Sequence, residues 1–123
     1  MQRRILVACR DDKCRENLLK LFSSKGLMVH SVWQDADLLM EVLERDYDVV
    51  FYDLEISNLN GDAFKMIKIL RRIRPKLSLI VISNDSSKEV GGKILQEGIT
   101  YYALKPINLH AMTEALSMVL KQN

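Results

Sequence analysis

The chain predicts an α/β fold in which parallel strands alternate with helices and both faces of one sheet are covered. Two patterns carry this. Short continuous apolar runs recur along the chain, as strands buried on both faces show, and between them apolar residues return at three- and four-residue spacing, as amphipathic helices show. Five such alternations imply right-handed βαβ crossovers. The third observation is size: 123 residues with 48% hydrophobic and 28% charged side chains is one domain's worth of ordinary globular chain.

Taken in order, Ile5-Leu6-Val7-Ala8 reads as the first strand. Cys14, Leu18, Leu21 and Phe22 then share one helical face, and Gly26 ends that helix. Met28 to Val32 is a second, weaker strand, followed by a helix over residues 36–45 that buries Leu38, Leu39, Val42 and Leu43. Val49-Val50-Phe51-Tyr52 is the third strand, ended abruptly by Asp53. Asp62 is placed to cap a helix carrying Ala63, Met66, Ile67, Leu70 and Ile73, which stops before Pro75. Leu79-Ile80-Val81-Ile82 runs to Ser83 as the fourth strand. A short helix over residues 87–96 is weakened by Gly91 and Gly92. Tyr101 to Leu104 is the fifth strand, and residues 109–120 form the last amphipathic helix.

Composition excludes several classes. No apolar run reaches the ~18–20 residues that span a bilayer, and the first residues, Met1-Gln2-Arg3-Arg4-Ile5, do not build a secretory leader. Membrane partners are therefore not expected. Eighteen basic against sixteen acidic residues leave +2, too little to call for nucleic acid. Cys9 and Cys14 make no disulfide framework and read as small apolar fillers, which points to a reducing cytoplasm. His30 and His110 have no ligand partners near them in sequence. The stretch Lys65, Lys68, Arg71, Arg72, Arg74, Lys76 lacks interleaved aromatics and reads as a solvated helix face.

In an open parallel sheet the functional crevice lies outside the carboxyl ends of the strands. There the chain places Cys9-Arg10-Asp11-Asp12 after the first strand, Asp53 after the third, Ser83-Asn84 after the fourth and Lys105-Pro106 after the fifth. One carboxylate, one hydroxyl and one ammonium thus converge from three strands. With Gly61 after Asp53, Ser83 thirty residues beyond it, Lys105 twenty-two further on and Tyr102 three before Lys105, the sequence resembles the receiver domain of two-component response regulators over nearly its whole length.

That resemblance implies a flavodoxin-like (βα)5 fold with sheet order 2-1-3-4-5, and residues 1–123 as a single receiver-like domain. It implies that Asp53 is the phosphoacceptor, a carboxylate nucleophile toward a phosphohistidine or small phosphodonor. Ser83 would hydrogen-bond the phosphoryl oxygens, Lys105 would pair with them, and Tyr102 would be the aromatic switch coupled to Ser83. Tyr101 and Tyr102 alternate across a strand, and register with Lys105 selects Tyr102. A cis Lys105–Pro106 bond would aim the ammonium. Glu55 and Pro106 would complete the pocket, and a metal there would be held by Asp53 and the Glu55 backbone carbonyl.

The family's two acidic residues at the end of the first strand, which with the phosphoacceptor hold magnesium, are where the pattern departs. Asp11-Asp12 match them only with a two-residue insertion, which would make Asp11 a metal ligand. The ungapped register instead puts Cys9 and Arg10 in those positions and leaves Asp11-Asp12 as a solvated helix cap. In that register Arg10 points into the crevice, where ~4 Å from Asp53 at an effective dielectric near 20 it gains about 4 kcal/mol before desolvation and weakens or replaces Mg2+. Asn84, where the family has Ala or Gly, crowds access, and Ser57 stands in place of the usual Pro.

The functional expectation is a phosphorelay receiver signalling through the face of its fourth helix, fifth strand and fifth helix. It is not an enzyme beyond self-phosphorylation from a donor and autodephosphorylation. Its partners would be a sensor histidine kinase or phosphotransfer protein and a downstream protein, with the chain a monomer or weak dimer. The alternatives are a phosphorylation-independent interaction module of the same fold, and the receiver piece of a longer regulator with an output domain.

Overall fold

The computed structural model describes residues 3–56, 62–85 and 88–122. The readings made at Ser57, Gly61, Ser87 and the Asp62 side chain lie outside the described residues. The order is β1 (Arg4–Ala8), α1 (Asp12–Ser23), β2 (Met28–Val32), α2 (Asp35–Glu44), β3 (Val49–Asp53), a single helical turn at Leu54–Ile56, α3 (Asp62–Ile73), β4 (Ser78–Ser83), α4 (Lys88–Gln96), β5 (Tyr101–Leu104) and α5 (Leu109–Gln122). The five strands form one parallel sheet in the order β2-β1-β3-β4-β5, the expected flavodoxin-like arrangement.

Strand alternation divides the core in two. Leu6, Ala8, Val50, Tyr52, Leu79 and Val81 face α2, α3 and α4, where Leu38, Val42, Ile67, Leu70 and Ile94 are buried. Ile5, Val7, Cys9, Val49, Phe51, Ile80 and Ile82 face α1 and α5, with Leu18, Phe22, Met112 and Leu116 buried among them. Strands buried on both sides need apolar residues at every position, which is why β1, β3 and β4 read as unbroken runs and edge strand β2 does not. Gly26 and Gly98 follow α1 and α4 with φ +77°, the left-handed conformation that a side chain disfavours.

Leu43 departs from the expected core. It is 54% exposed, because at ~100° per residue it lies about 140° round the helix from Leu38. The basic stretch also divides. Lys65, Arg72 and Lys76 are exposed as expected, but half-buried Arg71 donates to the carbonyls of Leu77 and Gly98. Arg74 reaches the Val42 and Leu43 carbonyls at 3.0 and 3.3 Å. These two arginines tie α3 to neighbouring elements. Nor is His30 isolated: its Nδ1 lies 2.9 Å from the Tyr47 hydroxyl, which donates to Glu41 at 2.5 Å.

Candidate functional site at the carboxyl edge of the sheet

Parity along the strands decides which side chains meet. β1 and β3 pair in the register Ala8 to Tyr52, so Cys9 follows opposite Asp53 and both point to the α1/α5 side. Lys105 shares that side because Ala103, two residues earlier, packs there. Asp53 is fully buried. Its Oδ2 accepts from Lys105 Nζ at 2.7 Å and from Cys9 Sγ at 3.2 Å. The Glu55 N–H donates to Oδ1 at 3.0 Å, and the Glu55 carboxylate accepts from Lys105 at 3.3 Å.

The buried carboxylate is thus satisfied by one ammonium, one thiol and one amide. Burial opposes the charge on Lys105, but the hydrogen bonds and charges of Asp53 and Glu55 outweigh it, and the lysine pKa is raised. The Cys14 thiol beside it, burial and the Asp53 charge all push the Cys9 thiol up, keeping it protonated and a donor. The same contact with Cys9 lowers the Cys14 thiol.

Arg10 requires a correction. It is exposed and, among the described residues, makes no ion pair. The ungapped register does put Cys9 against Asp53, but the next residue of an extended chain points the other way, so Lys105 holds the place expected for Arg10. Asp11 caps α1 by accepting from the Lys13 and Cys14 amides at 3.0 and 3.4 Å. Asp12 pairs with Arg15 at 2.5 Å. Asn84 and Pro106 are exposed at the rim.

Ser83 is buried on the opposite parity from Asp53, its Oγ accepting from the Asp85 N–H at 2.9 Å. The Tyr102 hydroxyl donates to the Asp85 carbonyl at 2.9 Å, so one residue's backbone joins Ser83 to Tyr102. Tyr102 is half-buried and Tyr101 exposed, and the Lys105–Pro106 bond is cis. Sequence spacing carries no signal for the Asp85 link, nor for Arg15, which holds the Cys9 carbonyl at 3.1 Å and stacks on Trp33 at 5.1 Å. An arginine in the first turns of a helix beside a site was the available hint.

Fold and site together define a receiver domain. The family description, response regulator receiver domain, matches residues 5–117, and the chain belongs to that family, the phosphoacceptor module of two-component signalling. Among its relatives, the transcriptional regulatory protein ZraR of Salmonella typhimurium is 25% identical over 103 residues, 84% of this chain and 23% of that protein. The DNA-binding transcriptional regulator NtrC of Azospirillum brasilense is 26% identical over 119 residues, 97% of this chain and 24% of that protein. The chain spans about a quarter of the length of these relatives. In structure it is similar to a CheY-like receiver domain protein from Methanospirillum hungatei, with TM-score 0.90, 17% identity and coverage of 99% and 96% of the two chains. It is also similar to a Burkholderia pseudomallei response regulator solved with a phosphorylated aspartic acid, calcium and citrate, with TM-score 0.82, 18% identity and coverage of 98% and 72%.

The family implies a divalent cation beside the phosphoacceptor. A hard cation needs several oxygen ligands, and here Asp53 is engaged by an ammonium, a thiol and an amide. Asp11 is committed to its helix, and no group of three or more metal-binding side chains forms among the described residues. This donor set does not fit magnesium.

Proposed function

We propose that Asp53 is the phosphoacceptor and that it works with Lys105 in place of a tightly held cation. The observation that carries this is the Lys105–Asp53 contact of 2.7 Å across the ends of two strands. A carboxylate oxygen attacks the phosphorus of a phosphohistidine or small phosphodonor, the bond to the leaving group breaks, and an aspartyl phosphate forms. Lys105 Nζ follows the negative charge from the carboxylate to a phosphoryl oxygen. Ser83 Oγ turns to donate to a second oxygen and releases the Asp85 N–H, and Tyr102 moves because its hydroxyl is tied to the same residue. The partners are a sensor histidine kinase or phosphotransfer protein and a downstream protein, with residues 1–123 acting as one domain, alone or within a longer regulator. Exposed Leu95, Tyr101, Leu104, Leu109 and Met118 support the α4, β5 and α5 face as the output surface.

Acetyl phosphate labelling followed by mass spectrometry is the test. One phosphoryl group on wild type and none on Asp53→Asn is the expected result; labelling that survives this substitution removes Asp53 from the role. A magnesium titration followed through Trp33 fluorescence is expected to show no saturable change.

The complete burial of Asp53 favours one second reading, a phosphorylation-independent interaction module of receiver fold. Failure of wild type to label with either acetyl phosphate or a phosphorylated kinase would select it.

A further inference from the structure

We propose that Arg15 is the second cation of the phosphoryl pocket, exchanging its surface partner Asp12 for the phosphoryl oxygens of an incoming donor, a role that rests on Asp53 being the phosphoacceptor. The need for such a group comes from the charges present. Asp53 and Glu55 set two carboxylates against the one ammonium of Lys105, so a doubly charged phosphoryl group enters a site that is already negative. Arg15 is held one residue away from Asp53. Cys9 touches both, its sulfur 3.2 Å from Asp53 Oδ2 and its carbonyl accepting from Arg15 Nη1 at 3.1 Å. The Arg15 side chain is only 15% exposed, and the Trp33 ring stacks on its guanidinium at 5.1 Å. Its Nη2 pairs at 2.5 Å with Asp12, whose side chain is 80% exposed. An ion pair to so exposed a carboxylate is weak, and a phosphoryl group offers the same planar fork a more highly charged acceptor. Arg10 and Lys13 in the same turn are exposed and, among the described residues, make no ion pair.

With acetyl phosphate, Nη2 leaves Asp12 and donates to a phosphoryl oxygen while Nη1 stays on the Cys9 carbonyl. An Asp53 oxygen attacks phosphorus, the P–O bond to acetate breaks, and acetate departs with the electron pair. No proton moves: a carboxylate and a phosphoryl dianion enter, and an aspartyl phosphate dianion and acetate result. Lys105 and Arg15 then hold different phosphoryl oxygens. Movement of the guanidinium alters the surroundings of Trp33, the single tryptophan of the chain.

Labelling rates of the full chain are measured against acetyl phosphate concentration. Arg15→Met is expected to raise KM about tenfold, the factor for one charge-assisted hydrogen bond, with the maximal rate little changed, and Arg15→Lys to recover part of the loss. Asp12→Asn frees the guanidinium and is expected to lower KM roughly two- to threefold. Glu16→Gln, the same loss of charge at the exposed residue beside Arg15, leaves KM unaltered, as does Arg10→Ala. A KM unmoved by Arg15→Met, or raised by Arg10→Ala instead, overturns the assignment. Should Arg15→Met fail to fold, Asp12→Asn decides, and a KM that it leaves unchanged or lowers no more than Glu16→Gln does overturns the exchange. A second readout needs no transfer: Asp53→Asn is titrated with acetyl phosphate and followed through Trp33 emission. A saturable change that Arg15→Met abolishes in that background is expected, and its absence overturns Arg15 as the anion's receptor. Wild type that never labels while this change persists defeats only the phosphoacceptor reading.

Discussion

Replacing Lys105 with methionine keeps most of the side-chain stem and removes the ammonium from a carboxylate that has no exposure to solvent. Breaking a buried pair by deleting one partner costs about 3–5 kcal/mol, because the other charge is left uncompensated. The Cys9 thiol and the Glu55 amide still donate to Asp53, which places the expected loss at the lower end, ~3 kcal/mol. With a urea m-value of ~1.5 kcal/mol/M, the unfolding midpoint falls by about 2 M. The assay is equilibrium urea unfolding followed by far-UV circular dichroism in chelator-containing buffer. Asp53→Asn removes the charge that Lys105 offsets, so in that background Lys105→Met is expected to cost no more than about 1 kcal/mol. The pH dependence follows from the sign of the shift. A lysine whose folded pKa is raised stabilises the fold fully below the unfolded value and loses that contribution only as pH rises through the folded one. The difference between wild type and Lys105→Met is therefore flat through neutral pH and fades only above the ordinary lysine value of 10.5. Equal losses from Lys105→Met in the wild-type and Asp53→Asn backgrounds, or no loss in either, would refute the pairing.

Three further outcomes are expected. Arg10→Ala shifts stability by no more than ~0.5 kcal/mol, as for an exposed side chain with no ion pair among the described residues, whereas a guanidinium neutralising buried Asp53 would cost several times that in the same urea assay. Arg71→Met loses about 1–3 kcal/mol by orphaning the Leu77 and Gly98 carbonyls, and a loss below ~0.5 kcal/mol in thermal or urea unfolding would return Arg71 to the solvated face. Tyr102→Phe deletes the donor to the Asp85 carbonyl, and hydrogen exchange of the Asp85 amide should quicken roughly fivefold, the factor for ~1 kcal/mol, while an unaltered rate would sever the link between Tyr102 and Ser83.

Most of the fold was legible because it rests on local pattern. Unbroken runs such as Val49-Val50-Phe51-Tyr52, short, β-branched or aromatic and ended by a polar residue, read as strands buried on both faces. The stripe of Cys14, Leu18 and Phe22 can only be a helix laid against them, and polar residues directly after such strands must stand at the sheet's carboxyl edge. Asp53, Ser83 and Lys105 were therefore visible as candidates. Which of them touch was decided by pairing between strands distant in the sequence. The register Ala8 to Tyr52 turned Cys9 toward Asp53 and Arg10 away from it, and the same parity brought Lys105 in, while Ser83 at the end of β4 bonds the Asp85 amide instead of Asp53. A side chain's period along a strand is local, but its partner across the sheet depends on how two separate strands align, and a shift of one residue exchanges every inward group for an outward one. Arg71 escapes a sequence reading for a related reason: its charge suggests solvent, while the carbonyls that hold it, at Leu77 and Gly98, come within reach only after α3 and α4 have packed on the sheet.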